Sequence, residues 1–402
     1  MYLNDELIDK LMKPFMDRQE EIDQWVLEQI AKKINAIGEI SQSDLRKLIK
    51  MRDTEADVHR INKELGKMTN KQVIEIKKLI QNIALQSYLD AKPFYDYRYK
   101  KYIPYKQNVK LQRMINAIAR RTQGTYKNIA KAQAFMIRDS KGNLVQTPLA
   151  EAYQKVVDRG IQAASGGIVD YNTAMRKTLK DLINGGVQRA EYITEKGRRH
   201  SQRLDTAVRR NVLDGIRETY QTMQNIVGEE FGADGVEITV HAYPAPDHAK
   251  IQGHEFTKKM FEEKIQQNQQ FTDINGNVYI PFKRQIGTLN CRHFVIEKVI
   301  GYSDPIYTEK QLQEILDRNE KGYTLPSGKH LTMYQCTQEQ NRYELMVRKA
   351  KEGYLIASTA GDKLLAGKYK ARVSDLIKKY KAFSKACGLS PRPNDYRVAG
   401  YK

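Results

Sequence analysis

Apolar residues in the first ninety positions recur at the spacing of an α-helix. One stripe runs from Leu3 to Phe15, a second from Ile22 to Ile34 and a third from Val73 to Ile83, with an apolar residue every three or four positions. Such a period places the apolar side chains on one face of a helix. The pattern predicts amphipathic helices that pack on one another or on a partner, and an ordinary bundle core is the simplest interpretation.

Between residues 92 and 110 tyrosines alternate with cations. Pro93 and Pro104 prevent this segment from forming one uninterrupted helix, because proline has no backbone N–H to donate. If the chain is extended, the alternation from Tyr95 to Tyr99 places those rings on one side. Two interpretations stay open: the rings stack on nucleic acid bases, or they anchor a connector against neighbouring helices. The cations that would contact phosphates are Arg98, Lys100, Lys101 and Lys106.

Helical periodicity returns near Met114 and extends from Leu149 to Val227, with breaks at residues 165–167 and 185–186. Cations outnumber acids in its second part. They could form a basic helix face that follows a phosphate backbone without sequence preference, or an ordinary solvated face. The candidate DNA-binding residues of this block are Arg198, Arg199, Arg203, Arg209 and Arg210.

After residue 235 the period changes from helix to strand. Val236 to His241 alternates, a strand-like run from Val278 to Phe282 follows an Asn-Gly pair, and Phe294 to Val299 forms a third apolar run. A hairpin is predicted around residues 327–328. A charged helical stretch follows from Cys336 to Lys385, with an interruption near Gly361.

These patterns predict an α+β fold that is mostly helical, with a small antiparallel sheet domain in the second half and a charged helical C-terminal tail. Four regions are expected in order: 1–110, helical with the Tyr/Lys-rich connector; 111–231, helical and basic; 232–306, a small α+β core; and 307–402, a hairpin and the charged tail.

The charge of the chain points to an acidic partner. The 402 residues carry a formal net charge of +20, which attracts polyanions before specific contacts form. Nucleic acid is the first candidate and a membrane surface the second. We expect no membrane span and no signal peptide, because no run of eighteen apolar residues occurs and acids occupy the amino terminus. Three cysteines without paired spacing predict reduced thiols.

Four of the seven histidines and one of the three cysteines lie between residues 241 and 293. Imidazole and thiolate are the donors that zinc prefers, although the spacing matches no common zinc finger. Three interpretations stay open: a zinc site, buried histidines that only satisfy hydrogen bonds, and a catalytic site. In the last, Asp247 would orient His248. Alternatively, Cys291 would be a nucleophile with His293 or His254 as its base, but we assign no catalytic residue. The candidate metal ligands are His248, His254, Cys291 and His293.

Four segments occur in an order that carries a family resemblance: VEITVHAYPAPDHAKIQGHEF, GTLNCRHFVIEKVIGYSDPIYTEKQL, YQCTQEQNRYELMVRKAKEG and YKAFSKACGLSPRPNDYRV. From Leu204 to Val398 the chain resembles the phage minor capsid protein 2 family, related to the head-morphogenesis proteins typified by phage Mu protein F. It departs from the family at 243–246, where Gly-Ala-Arg-Pro is common, and at Ile251, where Trp is common. The residues that match the family motif are His241, His248, Gln252, Gly253, Asn290, Cys291, Arg292 and His293.

The resemblance implies a low-copy virion protein inside the head, made in the host cytoplasm. It implies the portal protein, the major capsid or scaffold protein and double-stranded DNA as partners, and a role in procapsid assembly and DNA packaging or delivery. Members of this family are not established enzymes. The alternative is a zinc-dependent hydrolase, a nuclease or peptidase acting in head maturation.

Overall fold

The computed structural model describes residues 5–40, 44–97, 100–166, 170–193, 199–267, 269–272, 278–279, 285–286, 291, 293–302 and 304–401. The helices are α1 (Asp5–Gly38), α2 (Leu45–Lys50), α3 (Glu55–Tyr97), α4 (Val109–Lys131), α5 (Leu149–Ser165), α6 (Tyr171–Gly185), α7 (Leu204–Phe231), α8 (Lys258–Met260), α9 (Glu309–Lys321), α10 (Met333–Thr359) and α11 (Lys363–Ala386). The strands are β1 (Gln133–Arg138), β2 (Leu144–Pro148), β3 (Val187–Ile193), β4 (Arg199–Arg203), β5 (Gly235–Ile238), β6 (Glu255–Thr257), β7 (Phe271–Thr272), β8 (Val278–Tyr279), β9 (Val295–Lys298), β10 (Tyr323–Thr324) and β11 (His330–Leu331). The predicted α+β class is confirmed.

The chain divides into two compact units that do not follow sequence order. Unit 1 comprises residues 1–13, 74–125 and 210–338, and unit 2 comprises 14–73, 126–209 and 339–402. The apolar stripe of α1 from Ile22 to Ile34 is buried in unit 2, as its period predicts. Each unit therefore combines segments that lie far apart in the sequence.

Unit 2 contains a four-stranded antiparallel sheet in the order β2-β1-β3-β4. Phe135 on β1 lies opposite Thr147 on β2 and Val187 on β3. The prediction of a helical region at residues 111–231 did not include these four strands. The polar residues of β3 and β4 alternate too weakly to indicate strands, and the pairing of β1 with β3 joins segments separated by α5 and α6.

Helix α11 and the part of α10 from Glu339 onward also belong to unit 2 and pack on each other. Tyr380 on α11 donates a hydrogen bond to Glu344 on α10 at 3.0 Å, and Gln340 donates to Ser384 at 3.0 Å. The predicted interruption near Gly361 is confirmed: this residue has a φ of 76°, which suits glycine because it has no Cβ.

Unit 1 holds a cluster of aromatic rings from the predicted connector. Tyr95 lies on α3, so the expectation of an extended chain is wrong at this residue, and only 2% of it is exposed. Its ring centroid lies 5.1 Å from that of Phe231 and 5.4 Å from that of Tyr102, which stacks on Tyr88 at 5.0 Å. These rings pack inside the unit, as the anchoring interpretation expects. Tyr99 and Arg98 lie outside the described residues.

A three-stranded antiparallel sheet in the order β6-β5-β9 forms the second part of unit 1. Its strands β5 and β9 lie within the runs predicted from alternation, and the β10–β11 hairpin lies where residues 327–328 predicted a turn. The described helices include none with the length and apolar character needed to cross a membrane.

Candidate metal centre

The histidine and cysteine residues meet at one end of the three-stranded sheet. β5 is the central strand, and Ile238 at its carboxyl end lies opposite Val295 at the start of β9. The loop after β5 and the segment before β9 therefore reach the same edge. Thr239 and Phe294 fasten them together, because the Thr239 N–H donates to the Phe294 carbonyl at 3.0 Å and the Phe294 N–H donates to Thr239 Oγ1 at 2.9 Å.

Three of the four predicted metal ligands come together there. Cys291 Sγ lies 3.5 Å from His248 Nδ1 and 3.4 Å from His293 Nδ1. One donor atom of each residue lies within 4.8 Å of the others. The exposed fraction is 0% for His248 and 3% for each of Cys291 and His293. The site is therefore a buried set of one sulfur and two imidazole nitrogens.

The fourth predicted ligand, His254, is not among them. Its Nδ1 lies 3.5 Å from Glu309 Oε1, at the start of α9. The intervening turn explains this: Gly253 has a φ of 75°, and its N–H donates to the Ile238 carbonyl at 2.7 Å. A Cβ at Gly253 would overlap the side chain of Leu312, so this motif position requires glycine.

Gln252 holds two of the motif histidines in place. The His241 N–H donates to Gln252 Oε1 at 2.9 Å, and Gln252 Nε2 donates to the His241 carbonyl at 3.3 Å. The same Oε1 lies 3.2 Å from His293 Nε2. The rings of His241 and His293 contact each other, with centroids 4.1 Å apart. Of the remaining motif residues, Asn290 and Arg292 lie outside the part of the chain that the structure describes.

Arg217 on α7 is a member of this site that sequence reasoning missed. Its Nη2 donates to the Cys291 carbonyl, and its guanidinium lies over the Phe294 ring at 5.9 Å. Burial lowers the pKa of Arg217, while the charges of Cys291 and Asp214 act in the opposite direction. A cation beside the thiol favours the thiolate. No local signal links Arg217 to Cys291, which lies 74 positions away.

The predicted DNA-binding residues fall into different environments. Lys100, Lys101 and Lys106 are exposed. Arg203 is largely buried and pairs with Asp205 at 3.4 Å, while Arg209 and Arg210 are half-buried. Arg198 lies outside the described residues, and the side chain of Arg199 is not described. The block therefore presents no continuous exposed basic face among its described side chains.

Two helices present stronger basic faces than the predicted one. On α11 Asp375 is the one exposed acid, while eight cations are exposed: Lys363, Lys368, Lys370, Arg372, Lys378, Lys379, Lys381 and Lys385. On α4 no acid occurs, while six cations are exposed: Lys110, Arg113, Arg120, Arg121, Lys127 and Lys131. The signal that could have found them is the near absence of acids within each helix.

A cavity of about 840 Å³ in unit 1 lies beside the metal candidate and is lined by residues of α7, β5 and β9, including His293. Five acids occur in its described lining: Asp214, Glu218, Glu229, Glu262 and Glu297. Three cations occur there: Arg210, Arg217 and Lys258. An excess of acids disfavours a polyanion, so this cavity is a poor candidate for a DNA contact.

Comparison with known proteins gives one family. The family model described as phage minor capsid protein 2 matches residues 3–385. No significant match was found among curated proteins or among solved structures. The match confirms the resemblance seen in the sequence and extends it over the amino-terminal helices, which carry no recognisable motif.

Proposed function

The chain belongs to the phage minor capsid protein 2 family, and from this premise we propose that it is portal-associated inside the head and contacts the packaged DNA. It would act in procapsid assembly and in DNA packaging or delivery, with the portal protein and the major capsid or scaffold protein as partners. The capsid role follows from the family. The position in the head, the partners and the DNA contacts are the added proposal.

The observation that supports DNA contact is the charge of α11. Its apolar stripe, which includes Leu365, Val373 and Leu376, is buried in unit 2, and its eight cations lie on the exposed surface. Such a helix cannot bury its charges within the unit that it packs on, so they are available to a polyanion.

The length of α11 suits a duplex backbone. Its 24 residues span about 36 Å at roughly 1.5 Å per residue, which is about one turn of duplex DNA. Lysine and arginine on such a face neutralise phosphates and release counterions without reading bases. The six exposed cations of α4 and the exposed Lys100, Lys101 and Lys106 offer further contacts of the same kind.

We expect a variant that lacks part of the α11 charge to bind duplex DNA less tightly. Lys368, Lys370, Lys378 and Lys381, all exposed, are replaced by glutamine. Each lost phosphate contact reduces the slope of log affinity against log salt by about 0.9, so the slope should fall by up to about 3.6. Binding is measured by fluorescence anisotropy with a random-sequence duplex between 50 and 200 mM salt, conditions over which such slopes are large.

The matched control removes the same charge elsewhere. Lys47, Lys67, Lys78 and Lys92 are exposed and each forms an ion pair with an acid, at 2.8, 2.8, 3.6 and 2.5 Å. Their replacement by glutamine should leave the slope nearly unchanged. Equal losses in both variants would show that only net charge matters, and an unchanged slope in the α11 variant would reject this helix as the contact.

The position inside the head has its own test. In intact DNA-filled heads the protein should resist an added protease and become sensitive when the heads are opened. It should also co-purify with the portal when the shell is dissociated. Digestion in sealed heads at the rate seen in opened heads would contradict an internal position.

A zinc-dependent hydrolase is less well supported. A catalytic zinc keeps an open coordination position that a substrate can reach. His248, Cys291 and His293 are exposed by at most 3%, which leaves a substrate little access to them.

A further inference from the structure

We propose that His248, Cys291 and His293 bind one zinc ion, which closes the end of the β6-β5-β9 sheet. The inference rests on the geometry of these three side chains and is independent of the DNA contact proposed above. It does not include His254, which faces α9.

The distances from the sulfur to the two nitrogens match a tetrahedral zinc site. With zinc–sulfur and zinc–nitrogen bonds of about 2.3 and 2.0–2.1 Å, a tetrahedral angle separates sulfur from nitrogen by about 3.6 Å. Cys291 Sγ lies 3.5 and 3.4 Å from the two Nδ1 atoms. The sulfur is thus already at the spacing that the ion requires, and all three donors lie within 4.8 Å of one another.

The hydrogen bonds around Gln252 determine which nitrogen of His293 carries hydrogen. The Gln252 amide is oriented by its two bonds to the His241 backbone, so its Oε1 faces His293 Nε2 as an acceptor. Nε2 must therefore carry the hydrogen, and Nδ1 presents a lone pair towards Cys291. A second partner that fixes the tautomer in this way is typical of histidines that bind zinc.

Nδ1 of His248 also faces Cys291. A carboxylate oxygen of Asp247 lies 3.9 Å from the other ring nitrogen, Nε2, which places an acidic group on the far side of the ring. A metal ion at this position would bind both Nδ1 lone pairs and the sulfur at once.

Binding is balanced by the release of one proton. The Cys291 thiol loses its proton to solvent, and the thiolate and two neutral imidazoles bind the ion. Arg217 donates to the Cys291 carbonyl, which places a cation beside this ligand. Sulfur with two imidazoles selects zinc over magnesium or calcium, which prefer oxygen. A solvent molecule supplies the fourth ligand.

The ion would connect two segments that adjoin short strands. β5 and β9 are each four residues long, and the loop between β5 and β6 spans residues 239–254. Joining His248 in this loop to Cys291 and His293 before β9 stabilises the folded arrangement, because the ligands are dispersed in the unfolded chain.

The test measures zinc in the full chain, purified without a histidine tag or chelator. Elemental analysis should give about one zinc per chain in the wild type and less than about 0.1 in Cys291→Ser and His248→Ala. His254→Ala and Cys336→Ser are the matched controls, since they remove a histidine from the same loop and a buried cysteine from elsewhere, and both should retain zinc. Gln252→Ala should weaken zinc binding about 10- to 100-fold.

A measurement on the wild type guards against variants that fail to fold. After zinc is removed with a chelator, cobalt titration should produce the visible absorption bands of tetrahedral cobalt and the ultraviolet band of a cobalt–thiolate bond, saturating at about one equivalent. Zinc should then displace them. A wild-type protein that contains no zinc after growth in zinc-supplemented medium, and shows no cobalt bands, would overturn the proposal.

Discussion

Replacing Asp362 with alanine is expected to lower the free energy of unfolding by about 3–5 kcal/mol. The Asp362 carboxylate is 1% exposed, accepts two hydrogen bonds from Arg176 at 2.9 and 3.1 Å, and accepts the Leu365 N–H at 2.9 Å. It therefore neutralises a largely buried guanidinium on α6 and caps the amino terminus of α11. Its loss leaves Arg176 without this counter-charge and a helix start without its cap.

The measurement is urea unfolding followed by the fluorescence of Trp25, the one tryptophan of the chain, which lies in unit 2 with both partners. The matched control is Asp375→Ala on the same helix. Asp375 pairs with Lys379 at 2.8 Å, but their side chains are 56% and 59% exposed, so the change should cost less than about 1 kcal/mol. Equal effects in the two variants would show that burial of the Arg176–Asp362 pair carries no extra stability.

Sequence patterns predicted the elements whose signal is local. The stripe from Ile22 to Ile34 and the alternation of Val236 to Ile238 lie on the elements that they indicated, and Gly361 interrupts the last helices. These signals depend on the spacing of apolar residues over a short stretch of sequence, so they can be recognised without knowledge of the rest of the fold. The four-stranded sheet of unit 2 was missed because β3 and β4 alternate weakly and because β1 pairs with β3 across an interval that includes α5 and α6.

The candidate site was predictable in part for the same reason. His248, Cys291 and His293 were identified by chemical type, and the antiparallel pairing of β5 with β9 brings them together. His254 had the same chemical type, yet the turn at Gly253 directs it to Glu309. Arg217 had no local signal. The sequence thus identifies residues of the right chemical type, while the turn and the strand register determine which of these side chains converge.

The Arg203 environment shows why the basic block was misleading. A high count of cations indicates an exposed face only where acids are absent nearby in space. Burial lowers the pKa of Arg203, but the charges of Asp205, Glu352 and Asp23 raise it above its ordinary value, although Glu352 and Asp23 lie far away in the sequence. On α11, by contrast, the one exposed acid is Asp375, so the local composition gave a better guide.

The second large effect expected is a pH-dependent gain of stability on replacing Glu20 with glutamine. Burial raises the pKa of Glu20 from 4.5 to about 7, despite an ion pair with Arg348 that lowers it. A carboxyl group whose pKa rises on folding contributes stability that is fully present below its unfolded pKa and is lost as pH increases through its folded pKa. The wild type should therefore lose stability between about pH 4.5 and 7 through this group.

Glutamine resembles the protonated carboxyl and cannot ionise, so Glu20→Gln should match the wild type at about pH 4.5. Above pH 7 it should be more stable by up to about 3–4 kcal/mol, because the pKa rises from 4.5 to about 7 and each pKa unit corresponds to about 1.4 kcal/mol. Its amide oxygen can still accept a hydrogen bond from Arg348. Glu64→Gln, whose side chain is 42% exposed and paired with Lys67, is the control and should show no such trend.

The free energy of unfolding of the wild type and of both variants is measured in urea at pH 4.5, 6, 7 and 8, again with Trp25 fluorescence. These pH values cover the range set by the pKa of Glu20. If the gain in unfolding free energy grows with pH in Glu20→Gln and not in Glu64→Gln, Glu20 is a buried carboxyl group whose ionisation destabilises the fold. A difference that stays constant from pH 4.5 to 8 would mean that Arg348 fully compensates for burial and that the pKa of Glu20 is not raised. The sign of the trend therefore decides whether desolvation or the ion pair dominates at this position.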